Sequence, residues 1–260
     1  VTDLPLPKTR LYADVTPVAG RDVTLEGDQA HFLSRVMRIT PGETLSLFNG
    51  RDGEWLAEVT EVQKKRVVLT WHHQLKPQHS GPDCLVCFAP VKFGKIDFLA
   101  QKVTELGAAA LQPVMTQYTS VSRVNTERLQ ANCVEAAEQC ERVDIPQVHE
   151  PVGLRQLLAD WPADRVLVFA DESGNSAPAP QQLAACAKPQ KWGILIGPEG
   201  GFSREEGELI RSLAQTVGVG LGPRILRADT AALSLLALSA SLWGDWDQAP
   251  HFTPKEEQHG

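Results

Sequence analysis

The sequence predicts an α/β chain in two parts. A small β-barrel domain is expected over residues 1–75. Beyond a linker at 76–82, a larger domain with a mostly parallel sheet is expected over 83–248, followed by a tail at 249–260. Three observations predict this. Residues 1–75 hold short β-like runs separated by turn dipeptides. From residue 83 on, apolar runs of strand length alternate with segments of helical period, the pattern of βα units. Within Lys191–Trp243, two strand-like runs each break into a glycine-rich turn, and each turn feeds a helix.

The elements follow in order. Asp22–Leu25, Thr44–Phe48, Glu54–Val59 and Val67–Trp71 read as strands, with Asn49-Gly50 and Asp52-Gly53 as turn signals between two of them. Ala30–Arg38 reads as a short helix with Phe32, Leu33 and Val36 inward. Lys76–Pro82 (KPQHSGP) is polar and turn-forming. Leu85–Pro90, Leu111–Met115 and Arg165–Ala170 read as strands. Lys95–Leu106 is a helix with Ile96, Leu99, Ala100 and Val103 on one face, and Thr126–Cys140 is a second helix. Asp171–Pro180 is a loop rich in Ser, Asn, Gly and Pro. Ile194–Ile196 fits a strand buried on both faces. Ser203 stands three residues before Glu206, a capping-box spacing that starts a helix near Arg204. Val217–Gly222 alternates aliphatic residues with glycines, which lets a neighbouring backbone or a flat ligand approach. A helix opens near Asp229-Thr230, and Ala231–Trp243 reads as a core helix. No internal repeat is evident.

Composition narrows the function classes. Hydrophobic content of 42% and charged content of 22% are globular values. No apolar run reaches the ~18 residues of a membrane span, and no basic-then-apolar leader opens the sequence, so a cytoplasmic protein is expected. A net charge of −7 argues against coating nucleic acid by bulk charge. Positions 1–75 hold 9 basic and 10 acidic residues and the rest 16 and 22, so any RNA contact must use local clusters. Arg35/Arg38 and Lys64-Lys65-Arg66 are such clusters, and each also reads as a solvated face. Five cysteines suit a reducing compartment. Cys84 and Cys87, three apart in a strand, point to opposite faces and do not share a metal. Cys133 and Cys140 lie two helical turns apart, too far to bond. His72, His73 and His79 have no cysteines at zinc spacing, and no metal is expected.

The C-terminal motif carries the chemistry. Gly197-Pro198-Glu199-Gly200-Gly201 follows one strand, and Arg224 and Arg227 follow the other. Two backbone-rich loops and two arginines thus stand at the carboxyl ends of strands, where open α/β sheets bind ligands. The stretch lacks the Gly-Lys-Ser/Thr of a Walker loop and the spacing of a dinucleotide fingerprint. A pocket lined by backbone amides is one reading; an ordinary pair of β-loop-α units with tight turns is the other.

IGPEGGFSREE followed by LGPRILRADTA resembles the RsmE-type family of SPOUT methyltransferases. Phe93–Gly107 (FGKIDFLAQKVTELG), Glu135–Arg142 (EAAEQCER) and His31–Gly53 are similar to further blocks of that family, and the likeness runs over about residues 8–245. Asp229 stands where the family usually carries Glu, and Leu11-Tyr12 replaces a more usual aromatic pair after Arg10. The resemblance implies a PUA-like N-terminal barrel, a SPOUT domain with a C-terminal trefoil knot, and a homodimer packed partly through the Ala231–Trp243 helix. It implies S-adenosylmethionine as cofactor and N3 of a uridine in 16S ribosomal RNA of the small subunit as target. Its cofactor loops fall on Ala170 and Glu172; on Ile196, Gly197, Pro198, Gly200 and Gly201; and on Leu221, Gly222, Ile225 and Leu226.

Uridine N3 carries a proton at neutral pH. Its loss spreads negative charge onto O2 and O4, where arginines or backbone N–H groups stabilise it. Arg227, Arg224 and Arg10 are the candidate stabilisers and Glu199 the candidate proton acceptor. Each has a plainer reading: ion pairs of Arg224 and Arg227 with Asp229 or Glu199, and a helix-start carboxylate for Glu199. His31, Arg35, Arg38, Lys102 and Arg123 are candidate RNA contacts, although a lone His such as His31 is more often a local cap or core residue. Glu138–Arg142 reads first as an i,i+4 helix pair. Three other functions are weighed: a non-catalytic RNA-binding assembly factor, a methyltransferase of this fold acting on another RNA, and a nucleotide-dependent enzyme. The last would need a phosphate fingerprint that is missing.

Overall fold

The computed structural model describes residues 4–91 and 95–249. The start of the Phe93–Gly107 block and the tail from residue 250 lie outside the described residues. The chain divides into two compact units: residues up to Ser80 with Ala137–Asp144, and Gly81–Ala136 with Ile145–Ala249.

The first unit is a curled five-stranded sheet in the order β1-β3-β4-β5-β2. Its strands are β1 (Arg10–Tyr12), β2 (Asp22–Glu26), β3 (Thr44–Phe48), β4 (Glu54–Val62) and β5 (Arg66–Lys76). β1 runs parallel to β3 and the other pairings are antiparallel. Leu25, Leu33, Leu45, Leu47, Val67, Leu69 and Trp71 fill the concave side. β4 and β5 slip register at Trp55/Ala57 and again at Val59/Glu61, irregularities that bend a sheet around its core.

The helix expected over 30–38 takes a different course. α1 (Gly27–His31) passes into a π-helical turn at Phe32–Val36, closed by Met37 N–H donating to the Phe32 carbonyl. The wider turn breaks the four-residue return to one face. Leu33 is buried and Phe32 packs on the core as expected, but Val36 is 63% exposed. Ala137–Asp144 also belongs to this unit, a return of the chain that no local pattern announces.

The second unit is a parallel sheet in the order β12-β10-β11-β6-β7-β8, with β9 pairing β7. It comprises β6 (Asp83–Phe88), β7 (Ala110–Met115), β8 (Gln147–Val148), β9 (Val152–Gly153), β10 (Val166–Ala170), β11 (Lys191–Ile196) and β12 (Thr216–Val219). Alternate residues feed two cores. Val86, Val168, Ile194 and Ile196 pack beneath α2 (Lys95–Glu105), α3 (Thr126–Gln139), α5 (Ala179–Ala185) and α7 (Ala228–Trp243). Cys87, Leu167, Phe169 and Leu195 pack beneath α4 (Leu154–Ala159) and α6 (Arg204–Ser212). Cys84 and Cys87 accordingly sit in opposite cores, and burial raises both thiols well above their ordinary pKa. Trp192 and Trp243 meet edge to face at 6.1 Å in the first of these cores.

The capping box at α6 forms in both directions: Ser203 Oγ accepts from Glu206 N–H, and Glu206 Oε2 accepts from Ser203 N–H. Gly218 serves close approach, since a Cβ there would lie 2.7 Å from Ser176 Oγ. The space is filled by the loop after β10. No described helix is long and apolar enough to cross a membrane.

Candidate active site

β10 lies between β11 and β12, all parallel, so the three following loops converge at one edge of the sheet. They enclose a cleft of about 610 Å³. Ala170, Asp171 and Glu172 come from the end of β10; Ile196 to Gly200, with Phe202, follow β11; Leu221, Gly222, Arg224, Ile225 and Leu226 follow β12. Ala228 and Ala231 of α7 close the floor.

The loop after β10 is pinned along its length. The buried Asp171 carboxylate accepts from Ser173 N–H at 3.0 Å and Ser176 Oγ–H at 2.8 Å. Gly220 N–H donates to the Ala177 carbonyl, and Ala179 N–H to that of Gly220. Burial pushes the Asp171 carboxyl up, but the Ser173 and Ser176 hydrogen bonds and the Arg211 charge outweigh it and hold its pKa below the ordinary value. Asp171 lies inside the Ala170–Glu172 stretch that the resemblance implies, which gave it no role of its own. An Asp two residues before a Ser at a strand end is an Asx-turn signal that marks it.

Glu172 ties this loop to the next. Its Oε1 accepts from Phe202 N–H at 3.1 Å, and Phe202 meets Phe169 edge to face. Gly201 has φ +71°, and a Cβ on it would fall 1.6 Å from Glu172 Oε1. Gly201 therefore makes room for a carboxylate of the chain, while its neighbour Gly200 lines the cleft.

Charge at the mouth is unevenly matched. Glu199 pairs with Lys95 at 3.0 Å. Arg224 lines the cleft, Arg227 stands just beyond it as N-cap of α7, and both are exposed. Among the described residues neither makes an ion pair or hydrogen bond through its side chain, so the expected bridges to Asp229 or Glu199 are not made. A cation at the positive end of a helix is unfavourable unless an anion meets it. Ile225 is fully exposed at the rim, and Asp229 Oδ1 is buried without a hydrogen-bond partner among the described residues.

Arg10, the third candidate stabiliser, is engaged in the opposite way. Its Nε donates to Glu54 at 2.9 Å. Its two terminal nitrogens donate to the carbonyls of Ala137, Glu138 and Arg142, and its guanidinium lies 3.8 Å from the Phe48 ring centroid. Every donor nitrogen is committed inside the first unit. Arg142 lies past the end of α3 and grips Asp144 with two bonds of 2.9 Å, and Glu138 accepts from Tyr12 N–H. His31, Arg35 and Arg38 are exposed together in and after the short helical segment of the first unit. Lys102 pairs with Glu105, and Arg123 is exposed in the loop before α3. Among the described residues no group of His, Cys, Asp and Glu could hold a metal ion.

A family model described as an RNA methyltransferase domain matches residues 79–240. The chain belongs to the RNA methyltransferase domain family. A second model, an RNA methyltransferase PUA domain, matches residues 25–70 of this RNA methyltransferase. It is 32% identical over 237 residues to the ribosomal RNA small subunit methyltransferase E of Synechocystis sp., covering 88% of this chain and 76% of that one. The enzyme of the same name from Rickettsia conorii is 29% identical over 229 residues, 88% of this chain and 93% of that one. Among solved structures, ribosomal RNA small subunit methyltransferase E from Neisseria gonorrhoeae, bound to S-adenosyl methionine, superposes with TM-score 0.82 at 28% identity over 92% and 99% of the two chains. A putative methyltransferase from Legionella pneumophila with bound SAM gives 0.81 at 28% identity over 91% and 98%.

Proposed function

We propose that this RNA methyltransferase transfers the methyl group of S-adenosylmethionine to N3 of a uridine in 16S ribosomal RNA of the small subunit. The observation that carries it is the uncommitted pair Arg224 and Arg227 beside a cleft made by three strand-end loops. The residues fit the cofactor: a cleft of about 610 Å³ lies within the ordinary small-ligand range of roughly 300–1,000 Å³. Its lining mixes backbone groups with apolar Leu221, Ile225 and Leu226, as a purine nucleoside requires. When bound, the cofactor supplies an electrophilic methyl on a sulfonium.

The chain's own residues do the rest. The Ile196–Gly200 and Leu221–Leu226 loops hold the adenosine through backbone N–H and C=O groups. Removal of the N3 proton leaves charge on O2 and O4, and Arg224 and Arg227 stabilise it as it forms. Glu199 is the carboxylate placed to take the proton, with Lys95 balancing its charge. In the first unit, His31, Arg35 and Arg38 hold the RNA backbone. We further propose that the C-terminal segment is threaded as a trefoil knot, and that the protein works in the cytoplasm as a homodimer. The partly exposed Leu233, Leu238 and Leu242 of α7 and the half-exposed Trp246 support the dimer.

The test is incubation with methyl-labelled S-adenosylmethionine and small subunits from cells lacking the gene. Label recovered as 3-methyluridine is expected. Cofactor binding with no label in subunits or free 16S RNA would overturn the target. No cofactor binding would favour a non-catalytic assembly factor.

A further inference from the structure

The loop from Thr116 to Asn125 runs from Gly200, at the rim of the cofactor cleft, to a second cleft of similar size, and of its residues only Arg123 has a candidate role above. At one end stands Tyr118, 50% exposed. Its side chain is seated on the cofactor loop: a Cβ on Gly200 would lie 3.4 Å from Tyr118 Cβ and 3.9 Å from Cγ. The loop is held rigidly there. Gln117 N–H donates to Glu206 Oε1 at 2.7 Å, the carboxylate that also caps α6, and Thr116 N–H donates to Thr119 Oγ1 at 2.9 Å. The half-exposed ring is therefore presented at the edge of the cofactor site by two anchored segments.

The other end of the loop lines a cleft of about 600 Å³ with Ser120, Ser122, Arg123 and Asn125, opposite Asp97 and Arg128 of α2 and α3. Part of its polar lining is committed. Asp97 takes Arg128 at 2.6 Å and Asn132 at 3.2 Å, and Asn125 Oδ1 caps the Arg128 N–H. Arg123 and the hydroxyls of Ser120 and Ser122 have no partner among the described residues. An uncommitted guanidinium with two hydroxyl donors in a concave site suits a phosphate. An exposed, immobilised aromatic one loop-length away suits an unstacked base.

We propose that this loop seats the RNA strand beside the target uridine: Tyr118 stacks on a base at the rim of the cofactor cleft, and Arg123 with Ser120 and Ser122 holds an adjoining phosphate in the second cleft. This rests on the RNA methyltransferase reading above and names the surface by which that site takes its substrate. An enzyme acting on a base must draw it out of its stack, and a fixed ring beside the site compensates the lost stacking.

The test measures binding of 16S ribosomal RNA, from cells lacking the gene, to the full chain over a range of salt, with S-adenosylmethionine binding measured in parallel. Tyr118→Ala is expected to weaken RNA binding about tenfold, in line with loss of one base–aromatic stack, while Tyr118→Phe stays near the parent. Arg123→Ala is expected to flatten the slope of log K against log salt by about one. Cofactor affinity should not change in any of the three. RNA affinity and salt slope equal to the parent in both alanine variants would overturn the proposal, whatever else occupies the second cleft. Failure of the parent protein to bind cofactor or RNA would instead contradict the methyltransferase reading itself.

Discussion

Arg10 in the first unit and Arg227 in the second are the same residue in opposite situations. Arg10 is only partly exposed, and its donors are spent on Glu54 and three backbone carbonyls. Arg227 is exposed at the positive end of a helix and commits its side chain to nothing among the described residues. The first arrangement holds a structure together. On the function proposed above, the second leaves a charge for an anion that arrives with the substrate. Committed donors, and not residue type, separate an arginine that builds from one that reacts.

The largest effect expected on this contrast is on stability. Arg10→Ala takes the nearer of two cations from Glu54, whose side chain is fully buried, leaves Lys76 at 3.6 Å, and should cost about 3 kcal/mol. Urea titration followed by Trp fluorescence reads it, and a loss below about 1 kcal/mol would break the structural assignment.

Asp171→Ala comes next, since it removes the acceptor of two hydrogen bonds on the cofactor rim. A loss of about 1.5–3 kcal/mol is expected in the same titration, with weaker cofactor binding by calorimetry. The pH dependence sharpens the point. The folded pKa of Asp171 is depressed, so its contribution is fully present above the unfolded carboxylate value of about 3.9 and is lost as pH falls through the folded value. Cofactor binding by the parent should hold down to about pH 4 and then weaken. Asp171→Asn should lack that acid-side loss, and an identical profile in both would contradict the rim assignment.

Ser203→Ala carries the smallest effect, about 1 kcal/mol for a lost helix cap. It should leave the binding stoichiometry of the cofactor unchanged.

Much of the second unit was legible because its signals are local. Apolar β-runs end in glycine turns, and Ser203 with Glu206 marks the start of α6 to the residue. α5 was not legible. Pro178 and Pro180 read as loop, yet proline is tolerated in the first turn of a helix, where its missing N–H costs nothing. Val36 was misplaced because hydrophobic period assumes an α-helix and the chain makes a π turn. At the site, the loops that line the cleft were legible from the motif, while the burial of Arg10 and the carboxylate filling the space at Gly201 were not. Both depend on residues far apart in sequence, which spacing does not encode.

The most direct test is the single-turnover rate of methyl transfer to 16S ribosomal RNA by Arg227→Ala, with cofactor and RNA saturating and cofactor affinity measured alongside. The account expects a fall of roughly 10²–10³-fold, the usual cost of one donor that stabilises developing negative charge, with unchanged cofactor affinity. A rate equal to the parent, or a loss explained wholly by weaker cofactor binding, would contradict it.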